Sequence, residues 1–280
     1  MRGSLLRAAA VQLNSTGERD RNLEAADRLV RAAAGEGAEL IALPEKWNLL
    51  AGGEELLAGA EPLDGPSLSL ARGWAHEFGI HLLAGSISER GAGKAFNTSV
   101  LIGPAGEDLA VYRKIHMFDV EVGGVSYRES EFEQPGTEII SAAIGELLVG
   151  LSVCYDLRFP ELYRILAVRG ARLLTVPSAF TAASGRDHWE VLLRARAIEN
   201  QAFVLAPNQV GQAPPHFNSH GHSAIVDPWG TVLALLPSGE GFIAADLDLG
   251  GQERVRESLP SLANRRPQSY VWPQLSEACA

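Results

Sequence analysis

Three observations predict an α/β fold. Apolar runs of strand length alternate with amphipathic helical stretches, the alternation occurs in both halves of the 280-residue chain, and each half also holds a hairpin pattern. Helical crossovers join parallel strands and hairpins join antiparallel ones, so each half is expected to form a mixed sheet. Two similar halves then pack as two sheets face to face with helices outside, a four-layer αββα sandwich.

Taken in order, residues 6–13 are an apolar run and read as a buried strand. Residues 19–34 read as an amphipathic helix with Leu23, Ala26, Leu29, Val30 and Ala33 on one face, ended by Gly35 and Gly37. Residues 39–43 form a second buried strand stopped by Pro44, completing a βαβ unit. Residues 66–78 read as a helix, 80–87 as a strand, and 96–102 with 109–112 as a hairpin around Gly103-Pro104-Ala105-Gly106. The second half runs strand 147–153, helix 160–169, strand 171–176, helix 188–200 and strand 202–206. Residues 223–227 and 231–236 flank Pro228-Trp229-Gly230 as another hairpin, 242–247 is a last strand, and 250–258 a short helix. One domain is expected over 1–275, with 276–280 as a short tail. Residues 121–136 break the pattern: they are Gly-, Glu- and Ser-rich with no period, and long irregular stretches in compact domains are often functional.

Composition removes several classes of function. The chain is 46% hydrophobic and 21% charged, which suits a packed core. Its two cysteines, Cys154 and the near-terminal Cys279, build no disulfide framework, so a reducing cytoplasm is expected. Arg7 interrupts the apolar stretch near the N-terminus and no cleavage pattern follows, so no signal peptide is expected. No run of about 18 uncharged apolar residues is present to span a membrane. A net charge of −10 repels a polyphosphate backbone, which sets nucleic acid aside as a partner.

Cys154 closes the apolar run 147–153 and opens the polar run Tyr155-Asp156-Leu157-Arg158-Phe159-Pro160-Glu161. That places a thiol at the carboxyl end of a strand, where open α/β sheets keep their ligands. Alone, such a cysteine reads first as a small buried hydrophobe and second as a nucleophile. A nucleophile needs a base or a cation beside it. Glu45 follows the strand 39–43 and Lys114 follows the strand 109–112, each at the same kind of strand end. Taken singly, each reads as a solvated charge. If the three strands end on one edge, Glu45 is the general base that takes the thiol proton and later activates water. Lys114 and the backbone N–H of Tyr155 then meet the oxyanion, and hydrolysis of a C–N bond divides into thioester formation and thioester hydrolysis.

Other signals are weaker. His216, His220 and His222 are loosely spaced like metal ligands but lack an accompanying cysteine or acidic cluster, so no metal is expected. The glycines of 145–150 lack phosphate-loop spacing. Glu190 and Arg194 read as a surface pair at i, i+4. Trp189, Leu192, Leu193 and Arg196 share a helix face that suits either the core or a dimer contact, as does the helix following Phe159.

Together these sites resemble the nitrilase (carbon–nitrogen hydrolase) superfamily over residues 6–270. Leu43-Pro44-Glu45 is similar to its glutamate motif, Tyr112-Arg113-Lys114-Ile115-His116 to its lysine motif, and the string from Ser152 through Cys154 to Leu162 to its cysteine motif. The resemblance implies the αββα sandwich, a homodimer or larger assembly, and no metal or organic cofactor. It also implies a second glutamate near the substrate carbonyl. Arg128-Glu129-Ser130 matches that motif, so Glu129 is expected there, with Glu131 and Glu133 as competing neighbours. Tyr155-Asp156, rather than Trp-Glu, follows the cysteine, which argues against nitrile hydrolysis.

The cysteine string and the segments 188–199 and 221–232 resemble the branch of deaminated-glutathione amidases and ω-amidases, somewhat closer to the former. The chain departs from that branch at 123–127 and 212–216, in loops of the kind that line the pocket. Substrates of the branch carry a carboxylate, often beside a keto group. Arg158 is the nearest candidate to hold it, unless it pairs with Asp156 or Glu161 and only supports the turn. Phe180 and Thr181 are expected to line the pocket. The expected function is hydrolysis of a small carboxylate-bearing amide by a thiol amidohydrolase, with water as the other reactant. Hydrolysis of N-carbamoyl amino acids and a non-catalytic small-molecule binding role are the alternatives, and the intact Glu, Lys and Cys set speaks against the last.

Overall fold

The computed structural model describes residues 5–215 and 217–270. The first half runs β1 (Leu5–Gln12), α1 (Arg19–Gly35), β2 (Leu40–Ala42), α2 (Gly53–Ala58), α3 (Pro66–Phe78), β3 (His81–Leu83), β4 (Ile87–Glu89), β5 (Phe96–Ile102) and β6 (Asp108–Arg113). A small hairpin, β7 (Asp119–Val122) and β8 (Val125–Arg128), leads into a 3-10 turn at Glu129–Glu131. The second half runs β9 (Ser141–Ile144), β10 (Leu147–Leu151), a 3-10 turn at Cys154–Arg158, α4 (Pro160–Val168), β11 (Leu173–Thr175), α5 (Ala182–Asn200) and β12 (Phe203–Ala206). A second hairpin, β13 (Val210–Ala213) and β14 (Phe217–His220), precedes β15 (Ser223–Val226), β16 (Val232–Leu236), β17 (Gly241–Asp248) and α6 (Leu249–Ser258).

The strands form two large mixed sheets. One has the order β17-β1-β2-β3-β5-β4, with β6 on the other side of β5, and the second has the order β16-β15-β12-β11-β10-β9. Side chains alternate across each strand, so one strand serves two layers. Ala8, Ala10, Leu40 and Ala42 pack in one cluster with Val149, Leu151, Leu173 and Leu205 of the facing sheet. The alternate residues Ala9, Val11, Ile41 and Leu43 pack against Ala26, Leu29 and Val30 of α1 and Leu68, Ala71 and Trp74 of α3. Tyr163 and Leu166 of α4, with Trp189, Leu193 and Ala197 of α5, cover the outside of the second sheet. This is the αββα sandwich. Small residues on the inner face let the sheets approach, and the near-continuous apolar strands are buried on both faces, as such layering requires. The last strand returns to the first sheet, pairing antiparallel with β1 from Leu5↔Asp248 to Gln12↔Gly241.

Four regions take another form than the sequence reading gives them, and α2 and β9 are absent from that reading. The strand expected over 80–87 is two strands that pair with opposite ends of β5, Leu82↔Ile102 and Ile87↔Thr98. The break holds the loop after β2. Gly85 has φ +45°, and a Cβ there would overlap the Pro44 carbonyl oxygen. Ser86 donates its N–H to that carbonyl at 3.3 Å, and its Oγ accepts the Lys46 N–H at 3.1 Å. The segment 121–136 is partly ordered by β7 and β8, whose turn uses Gly123 and Gly124, both at positive φ, as a tight hairpin needs. The helix expected from 188 begins at Ala182, directly beside the end of the strand-to-helix connection at Thr181. The region 210–220 forms a hairpin instead of a loop. No helix among the described residues is long and apolar enough to cross a membrane.

Candidate active site

Three strand ends meet at the floor of one cavity of about 280 Å³. Glu45 and Lys46 follow β2, Lys114 follows β6, and Cys154 follows β10; all four line the cavity. Glu45 and Lys114 are 4% and 1% exposed. The loop bearing Glu45 is fixed by Trp47, which is fully buried and whose Nε1 donates to the Ala84 carbonyl at 2.9 Å. The Glu45 carboxylate accepts the Ala179 N–H on Oε2 at 2.7 Å and the Asn97 amide on Oε1 at 2.8 Å. Lys114 Nζ stands 3.5 Å from Glu45 Oε1 and 2.7 and 2.6 Å from the two oxygens of Glu129. Cys154 sits at φ +46°, a left-handed backbone that non-glycine residues adopt at a cost, typically at turns that present a reactive group.

The electrostatics follow from burial and pairing. Burial pushes the Cys154 thiol well above its ordinary value, the hydrogen-bonded Glu45 carboxylate adds to this, and Lys114 opposes it. At neutral pH the sulfur therefore keeps its proton and needs a base to become a nucleophile. Burial alone would lower Lys114, but the carboxylates of Glu129 and Glu45 outweigh it and hold the ammonium well above its usual value. Burial likewise works to raise Glu129, and Lys114 overcomes it and holds the carboxyl below the usual range. Glu129 also accepts the Phe118 N–H at 2.6 Å. Of the three neighbouring glutamates, Glu129 is the one on Lys114. Glu133 lies behind it on Lys46 at 2.6 Å, and Glu131 is exposed.

Two buried residues that sequence reading missed tie these strand ends together. Asp156 is fully buried; its carboxylate accepts the Tyr112 hydroxyl at 2.6 Å, the Val153 N–H at 2.8 Å and the His116 N–H at 3.2 Å, and meets His116 Nδ1 at 2.7 Å. Tyr112 and His116 flank Lys114, so Asp156 clamps the lysine strand to the cysteine turn. Asn97 reaches both Glu45 Oε1 and Glu129 Oε1, the latter at 3.3 Å. The only sequence signals were an acid two residues past the cysteine and a polar residue opening an apolar strand.

The cavity wall is aromatic. Phe118 packs 5.1 Å from both Tyr127 and Tyr155, and Tyr127 of β8 stands 6.4 Å from Phe217 of β14. Tyr127 lies in one of the two segments where the chain departs from the resembled pattern, and Phe217 follows the other. Arg158 lies over the Phe180 ring at 5.1 Å, with Nη1 3.2 Å from His188 Nδ1. Asp156 is taken up by Tyr112, Val153 and His116. Phe180 and Thr181 are buried in the wall, the threonine hydroxyl 2.8 Å from Ser184 Oγ. The Tyr155 N–H opens the turn that Asp156 N–H and Phe159 N–H close, at 3.1 and 2.9 Å. His220 and His222 stack at 4.1 Å, and His216 lies outside the described residues.

A family model, carbon–nitrogen hydrolase, matches residues 7–257. A deaminated glutathione amidase of Synechocystis sp. is 42% identical over 266 residues, 92% of this chain and 97% of that protein. The omega-amidase NIT2 of Mus musculus is 38% identical over 269 residues, 96% of this chain and 98% of that one. The crystal structure of the C. elegans NitFhit protein superposes with a TM-score of 0.91 at 36% identity, over 97% of this chain and 67% of that chain.

Proposed function

The chain belongs to the carbon–nitrogen hydrolase family, and from that premise we propose a thiol amidohydrolase acting through Cys154. It is a hydrolase of carbon–nitrogen bonds other than peptide bonds. The observation that carries the mechanism is that the Cys154 thiol, the Glu45 carboxylate and the Lys114 ammonium line one cavity, with Lys114 Nζ 3.5 Å from Glu45 Oε1.

Glu45 takes the thiol proton as Sγ attacks the amide carbon. The carbonyl oxygen becomes an oxyanion that Lys114 Nζ and the Tyr155 N–H meet, and donors fixed in advance are worth most where charge develops. Glu45 returns the proton to the nitrogen, the C–N bond breaks, and ammonia or an amine leaves behind a thioester. Glu45 then takes a proton from water, the hydroxide attacks the thioester carbon, and the C–S bond breaks to release the acid and the thiol. Glu129 holds Lys114 and offers an acceptor to the substrate amide N–H.

The substrate is a small amide bearing a carboxylate, deaminated glutathione or an ω-amide such as α-ketoglutaramate. The names of the relatives support this, and so does Arg158, whose guanidinium faces the cavity with His188 as its polar partner. A guanidinium binds a carboxylate with paired, charge-assisted hydrogen bonds. Exposed apolar residues Ile165, Val168, Val191 and Ile198 on α4 and α5, with Trp229, support a homodimer through that face. Sedimentation at micromolar concentration tests it, and a monomer there refutes it.

The function is tested by incubating the protein with α-ketoglutaramate and with deaminated glutathione beside a Cys154→Ala control. Loss of deaminated glutathione with appearance of α-ketoglutarate identifies a peptide-admitting pocket. Ammonia from the small amide alone identifies an ω-amidase. Carbon dioxide released together with ammonia from an N-carbamoyl amino acid would transfer the assignment to that substrate class.

A further inference from the structure

Glu133 is a carboxyl at the cavity floor that the chemistry above does not use. It is 2% exposed. Its place is fixed by backbone bonds: its N–H donates to the Glu129 carbonyl at 2.9 Å, and Ala95 exchanges bonds with Phe132 and Gln134 on either side of it, at 3.0 and 2.9 Å. Oε1 accepts from Lys46 Nζ at 2.6 Å and from Ser88 Oγ at 3.3 Å. Oε2 is buried and meets no donor among the described residues. The Glu129 carboxylate stands beside it, four residues earlier in the same turn, and the two carboxyl groups act on each other.

Two carboxylates in contact away from water repel unless a proton lies between them. The floor also gathers three carboxyl groups, Glu45, Glu129 and Glu133, against two ammonium groups, Lys46 and Lys114. Full ionisation would bury an uncompensated negative charge, which proteins avoid. A single proton on Glu133 removes both difficulties and gives the orphaned oxygen a role.

We infer that Glu133 is held as the neutral acid, its Oε2–H donating to the Glu129 carboxylate and fixing it against Lys114, so that Glu133 is a positioning residue of the site. This rests on the amidohydrolase reading for its catalytic consequence but not for the proton itself. Burial lifts the Glu133 carboxyl to about 7; Lys46 opposes the rise, and the neighbouring Glu129 charge adds to it. The groups that face it are Lys46 from the loop after β2, the Ser88 hydroxyl of β4, and Glu129 from the 3-10 turn, with backbone alone from Ala95. The folded-state value is raised, so the stabilisation by this proton is present below the ordinary carboxyl range and is lost as pH rises through about 7. Catalysis follows the same sign. Above that pH an ionised Glu133 repels Glu129 and turnover falls, in a range where Cys154 and Lys114, both pushed up, do not titrate.

Infrared difference spectra of the wild type against Glu133→Gln test the proton directly. A carboxylic-acid C=O band is expected at about pH 6 and is expected to vanish by about pH 9. In pH profiles of α-ketoglutaramate hydrolysis, Glu133→Gln still donates to Glu129 and keeps kcat within about threefold at low pH, without the alkaline fall near neutrality. Glu133→Leu removes the donor and leaves the remaining charges balanced, so a circular dichroism spectrum like that of the wild type is expected, yet the variant loses about tenfold in kcat with KM little changed. Absence of the band at the lower pH, an unchanged alkaline fall in Glu133→Gln, or equal kcat in the two variants would overturn the inference. If no amide is hydrolysed but the band is present, only the substrate reading fails. The rate of Cys154 alkylation by iodoacetamide then carries the pH readout: an inflection near neutrality that Glu133→Gln removes supports the inference, and one that it keeps refutes it.

Discussion

The floor and the mouth of the cavity are built by different means. At the floor, Glu45, Lys114 and Cys154 stand on the ends of three core strands, and loops, strand ends and turn are locked by Trp47, Asn97 and Asp156. At the mouth, Tyr127 and Phe217 come from two hairpins outside the main sheets, and Arg158 leans over the Tyr155 and Phe180 rings with His188 beside it. Side chains held by packing and by satisfied hydrogen bonds keep reactive atoms in place. A mouth of hairpins and rings changes shape without touching that register. The difference assigns chemistry to the floor and choice of substrate to the mouth.

Replacing floor residues is therefore expected to lower kcat, and replacing mouth residues to raise KM. The largest effect is expected from Cys154→Ala: about 10⁴-fold or more lost in kcat, with a circular dichroism spectrum like that of the wild type. Glu45→Gln keeps the shape and removes the base, and about 10³-fold is expected to go from kcat. Asp156→Asn leaves one of its donors without an acceptor in a dry site. It should cost about 1–3 kcal/mol in denaturant unfolding and tenfold or more in kcat, by loosening Lys114 from the cysteine turn. Arg158→Ala is expected to act least on turnover, raising KM for a carboxylate-bearing amide about tenfold with kcat nearly unchanged, and leaving an uncharged amide unaffected. A fall in kcat for Arg158→Ala as deep as that for Asp156→Asn would end the division between floor and mouth.

How much was legible follows the same line. Strand ends announce themselves: Pro44 stops one apolar run, and a polar run begins at Cys154, so Glu45, Lys114 and Cys154 could be read as strand-end residues. Their convergence could not, because it depends on β2, β6 and β10 lying in two different sheets that face each other. The break between β3 and β4 was hidden because it is imposed from outside, by the Pro44 carbonyl against Gly85. The hairpin β13–β14 was hidden because Val210-Gly211-Gln212-Ala213 is too short for an alternation to show. The pairing of β17 with β1 joins opposite ends of the chain, beyond any local pattern. Asp156 and Asn97 are ordinary polar residues in sequence, and their importance lies wholly in what tertiary packing sets around them.

The measurement that tests the central claim most directly is acyl transfer to hydroxylamine during turnover of α-ketoglutaramate, run on the wild type and on Cys154→Ala. A Cys154 thioester is open to a second nucleophile, so the wild type should yield hydroxamate in a share that grows with hydroxylamine concentration, and Cys154→Ala should yield neither hydroxamate nor acid. Acid formation that persists in Cys154→Ala would contradict the account, because the bond would then be cleaved without the thiol.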